Sequence, residues 1–126
     1  MQPHAFETFL ADHDQVRAGL ARAAQAAPAK GYSAGLELAA LVLFLPLVQF
    51  LLLDIGLPWL VTLKKYSEVQ RRRVEDWIDA RAIGQGLDPD AVEAASRALM
   101  QELEQTHDAS ARAQWERLAE LLKQSD

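Results

Sequence analysis

Apolar residues recur at three- and four-residue steps through residues 3–27, at Phe6, Phe9, Leu10, Val16, Leu20, Ala23, Ala24 and Ala27, with His13 on the same stripe. Glu7, Asp12, Asp14, Arg17 and Arg22 sit mostly off it, so the spacing predicts one amphipathic N-terminal helix. Pro28 and Gly31 stop that helix, and PAKGYSAG reads as a linker of turn-forming residues. From Leu36 the periodicity disappears. Between Leu38 and Leu53 only Pro46 and Gln49 are not apolar, and no charge falls between Glu37 and Asp54.

Helical patterning resumes beyond Pro58 and runs to Ile83, with Trp59, Leu63, Tyr66, Val74, Trp77 and Ile78 on roughly one face. Gly84 and Gly86 are stop signals. Asp88-Pro89 is a start signal, with Asp88 as cap and Pro89 in the first turn. That next helix carries Val92, Ala95, Leu99, Met100 and Leu103 and extends to about Thr106. Asp108 can cap a last helix bearing Ala111, Trp115, Leu118, Leu121 and Leu122. The chain reads all-α. It has an N-terminal amphipathic helix, one long kinked apolar helix, a charged helical extension and two short amphipathic helices. Three stretches follow: 1–35, helix and linker; 36–63, the apolar segment; 64–126, a helical unit with a basic collar and an acidic tail.

The apolar segment has two readings. A membrane span needs ~20 predominantly apolar residues to cross ~30 Å of hydrocarbon. Residues 38–57 supply that length, with Tyr32 on one flank and Trp59 and Tyr66 on the other, where amphipathic rings favour the headgroup level. A kinked transmembrane helix is therefore the leading expectation, with Pro46, Gly56 and Pro58 at its bends. The alternative is a core helix, apolar all round because other helices wrap it, with Asp54 to Pro58 as a turn. Against that alternative stands the small size of a chain of 126 residues. A signal peptide fits poorly, since the run begins 35 residues in and no small-residue cleavage site follows it.

Charge sharpens the membrane expectation. Residues 64–83 hold six bases against four acids, whereas residues 84–126 hold nine acids against four bases, within a net charge of −5. Lys64, Lys65, Arg71, Arg72 and Arg73 are placed to meet lipid headgroups. Their excess over Arg17, Arg22 and Lys30 orients the C-terminal half toward the cytoplasm. The alanine content and nine Arg to four Lys suggest a high-GC bacterial source, so the expected location is a bacterial inner membrane. Nucleic acid is excluded as a partner: the basic cluster is short, interleaved with Glu68, Glu75 and Asp76, and the rest of the chain repels phosphate.

Candidate chemistry is sparse. The chain has no cysteine, so thiol chemistry and cysteine-ligated metal are absent. His4, His13 and His107 lack metal-ligand spacing, and Gly84-Gln85-Gly86 lacks the third glycine and preceding strand of a dinucleotide loop. Neither a cofactor nor a metal is expected, nor catalysis. Asp54 and Gln49 are the polar groups of the apolar run, available for pairing with another span. At 100° per residue they lie about 140° apart around a helix, too far for one narrow pore-lining stripe. Trp77 and Trp115 are candidate partner contacts. The functional expectation is a small single-pass membrane adaptor or accessory subunit, bound to the bilayer and to a protein partner or a second copy. The alternatives are a soluble all-α bundle acting as a protein-binding module and a holin-like pore-forming protein.

Overall fold

The computed structural model describes residues 1–25, 38–60, 68–85 and 89–124. All secondary structure among them is helical. The N-terminal stripe folds as two helices rather than the one expected, α1 (Pro3–Asp12) and α2 (Asp14–Gln25). His13 makes the break: its backbone leaves the helical region at φ −130°, ψ 83°. Its Nδ1–H donates to the Phe9 carbonyl at 2.8 Å, and its ring stacks on that of Phe9 with centroids 3.7 Å apart. The orphan amides at the start of α2 find their acceptor far along the chain. Gln114 Oε1 accepts from the N–H groups of Gln15 at 2.9 Å and Val16 at 3.3 Å.

The apolar segment is the second departure. Where one long helix was expected, the backbone runs through α3 (Leu38–Leu41), a 3₁₀ turn (Val42–Phe44), α4 (Leu45–Gln49) and a π-helical turn (Phe50–Ile55). Pro46 accounts for the first change of winding. It has no N–H to donate, and its ring crowds the carbonyl one turn back, so the chain enters α4 through a tighter turn. Gly56 accounts for the end. Its N–H closes a π-type bond to the Leu51 carbonyl at 2.8 Å, and its φ of 97° with ψ of 160° is open only to glycine. Pro58 follows in the turn, and Leu60 N–H bonds back to Leu57 at 3.1 Å.

The expected membrane span is corrected by these observations. Among the described residues no helix is long and apolar enough to cross a membrane. The side chains that lipid would have surrounded are instead covered by protein: Leu41, Val48, Leu51 and Leu52 are at most 4% exposed, and Leu45, Leu47, Phe50 and Ile55 are also buried. They join one core with Phe6, Leu10, Leu20, Leu99, Trp115 and Leu118. With the span goes its consequence, the inner-membrane location with a cytoplasmic C-terminal half. Size did not forbid the wrapped helix, because the segment keeps changing its winding and needs covering only piece by piece. α1 lies along α3, and α7 against the π turn.

In the C-terminal half Gly84, expected to stop a helix, lies inside one, and Gly86 and Asp88 lie outside the described residues. α5 (Glu68–Gln85), α6 (Pro89–Glu104) and α7 (Ala109–Gln124) complete the bundle. α7 is capped as expected, Asp108 Oδ2 accepting the Ala111 N–H at 3.0 Å. α2 makes its most extensive packing with α6 and a second contact with α7, while α5 packs on α6. A Cβ on Gly19 would lie 3.3 Å from Trp115 Cζ2, so glycine there sets how closely α2 and α7 approach. Arg22 fastens α2 to α6 through a forked pair with Glu102, Nε–Oε1 2.8 Å and Nη2–Oε2 3.0 Å. Hydrogen bonding to Glu102 raises the Arg22 pKa above its ordinary value, against a smaller opposing effect of burial.

Candidate functional site

The polar residues of the apolar run lie in different settings. Gln49 is half-buried in the bundle. Asp54 is exposed, and its backbone carbonyl accepts a 3.5 Å hydrogen bond from Arg73 Nη1, which ties the π turn to α5. Pro46 is half-buried and Pro58 buried, so the residues expected at bends are inside the bundle. Arg72 and Arg73 are exposed on α5. Lys64, Lys65 and the side chain of Arg71 lie outside the described residues.

The two tryptophans singled out by spacing occupy different environments. Trp115 is 2% exposed and belongs to the core, so its contribution is to packing rather than to a surface contact. Trp77 is half-buried on α5 and stacks on Phe50, centroids 5.1 Å apart and planes 12° from parallel. Trp59 holds the end of the apolar segment to α7: its indole N–H donates to Glu116 Oε1 at 3.3 Å, and the Arg112 guanidinium lies 5.1 Å from a ring centroid. Arg112 Nε also donates to the Thr106 carbonyl at 2.7 Å, closing the connection between α6 and α7.

Buried chemistry is scarce. Ser96 is a fully buried polar residue, and its hydroxyl donates to Val92 O at 2.7 Å. No group of metal-ligating side chains converges among the described residues.

A cleft of about 380 Å³ lies between α5 and α6. Its floor is Val74, Ile78 and Met100, and its edges are Glu75 on α5 and Glu93, Arg97, Gln101 and Glu104 on α6. The α6 edge residues fall at steps of four, four and three, one line along a helix. Arg97 pairs with Glu93 at 2.5 Å. Glu75 and Glu104 carry no ion pair among the described residues, so two uncompensated carboxylates border an apolar floor. Sequence reasoning named Val74, Ile78 and Met100 only as packing residues. The two edges come from helices whose mutual rotation no local pattern records.

Comparison with protein-family models, curated proteins and solved structures finds no match to this chain.

Proposed function

We propose that this chain is a helical binding module with no catalytic step, engaging a protein partner through the cleft between α5 and α6. One observation carries the reading: an open, apolar-floored trough between two packed helices, with every charged group at its edge and none in its floor. A small-molecule site is built differently, with a few polar groups converging inside a largely enclosed pocket. Helix-lined troughs of this kind suit a protein segment that places apolar side chains between the two helices. The membrane adaptor and the pore both needed a span, and among the described residues no helix supplies one.

Site-specific photo-crosslinking in living cells tests the proposal. A crosslinking side chain at Gln101, on the edge, should give a discrete adduct with one partner. The same group at exposed Asp12 on α1 should not. Met100→Glu should abolish the adduct while the purified variant retains its helical circular dichroism. Equal adducts at both positions, or none at Gln101, would overturn the proposal.

A further inference from the structure

We infer that the occupant of the α5–α6 cleft is a basic amphipathic helix of a partner protein, a conclusion that rests on the binding-module reading above. The charge of the edge indicates the sign of the partner. Three carboxylates and one guanidinium line the cleft; the guanidinium of Arg97 is engaged by Glu93, which leaves Glu75 and Glu104 unneutralised on opposite edges. Two like charges bordering one cleft repel, and a cation bound in it relieves that repulsion and gains attraction to both. Elsewhere on α5 the exposed Asp76 and Asp79 are matched by exposed Arg72 and Arg73, so the acidic balance comes from the residues beyond that helix: residues 84–126 hold nine acids against four bases.

The floor indicates the partner's shape. Val74 and Ile78 are one turn apart on α5 and face Met100 on α6, so apolar contact is offered along the direction of the trough rather than at one point. A third helix presents side chains at i, i+3 or i+4, and i+7 to such a floor, and can flank them with Lys or Arg reaching both edges. Met100 suits this use: its unbranched thioether can move aside for an incoming side chain at little cost in strain. A peptide added as a β-strand would require unpaired backbone donors and acceptors along the site. Here the backbone belongs to α5 and α6, whose interior amides and carbonyls are already used within the helices.

The test is fluorescence anisotropy with the full chain and two labelled 18-residue helical peptides of the same apolar pattern, one Lys/Leu and one Glu/Leu. The Lys/Leu peptide should bind, and Glu75→Lys with Glu104→Lys should weaken it by about tenfold or more. Asp12→Lys with Glu120→Lys makes the same change in net charge on exposed sites away from the cleft, and should alter binding less than about twofold. Equal weakening by both pairs would overturn the inference, because attraction would then be to the chain's overall charge. Binding of the Glu/Leu peptide as tightly, with loss on Met100→Glu, would overturn the basic preference while sparing the binding module. Failure of both peptides would overturn the helical occupant and leave the module to the crosslinking result. Concentration-dependent dimers in sedimentation, abolished by Glu75→Lys with Glu104→Lys, would mean that a second copy fills the cleft, and would overturn a separate partner.

Discussion

The apolar segment of residues 38–60 and the last helix, α7, enter the same core by opposite routes. α7 is regular over sixteen residues and divides cleanly, with Ala111, Trp115, Leu118, Ala119 and Leu122 buried and Arg117, Glu120 and Lys123 exposed. The segment has no polar face to leave outside. It changes winding three times, from α to 3₁₀ to α to π, and buries residues on nearly every side, with Leu43 and Leu60 as its exposed large side chains at 67% and 60%. A helix with one apolar stripe carries its own orientation. A helix without one is oriented by whatever surrounds it, and here Pro46 and Gly56 divide it into pieces that several neighbours cover separately.

The largest effect should come from truncating the shared core from each of the two regions in turn. Trp115→Ala should cost about 3–5 kcal/mol, and Leu51→Ala about 2–5 kcal/mol, in the free energy of unfolding by urea. Both side chains are at most 2% exposed, so the comparison predicts losses of similar order. A Leu51→Ala variant as stable as the parent would break it, because the segment would then lie outside the cooperative core. The next effect tests how the segment ends. Gly56→Ala should lose about 1–3 kcal/mol, since an L side chain resists the φ of 97° seen there. No loss would mean that the turn relaxes freely and that the π winding is not held by it.

The third effect is smaller and contrasts two caps. Asp108→Ala removes a local cap from α7, and Gln114→Ala removes one supplied across space to α2. Each should cost about 1 kcal/mol by the same denaturation measurement. They differ in place: backbone hydrogen exchange should quicken at the start of α7 for the first and at the start of α2 for the second. Faster exchange at α7 in both variants would show that Gln114 acts on its own helix.

These contrasts also mark what could be read along the chain. The all-α class, the start of α6 at Pro89 and the capping of α7 by Asp108 were legible, because each signal acts within four residues of its effect. The break at His13 was hidden, since the group that makes a second helix start possible there is Gln114, 99 positions from Gln15. The fate of the apolar segment was hidden too. Hydropathy records what a segment avoids, water, and is silent on whether lipid or protein replaces it. The cleft needed the rotation of α5 against α6, which decides that Glu75 and Glu104 edge one trough while Glu102, two residues earlier, pairs with Arg22 on α2.

The dependence of α2 on α6 and α7 has a consequence for the chain while it is being made. A ribosome adds about 5–20 residues per second, so the 64 residues from Leu60 to Gln124 take about 3–13 s to synthesise. During that interval the leucine-rich segment has emerged, but α6 and α7 are not yet there to cover it. The first helix pair packs on α3 and the 3₁₀ turn, whereas the π turn waits for α7. Nascent chains therefore expose their most aggregation-prone stretch for seconds, and their yield depends on what shields it until the last helix emerges.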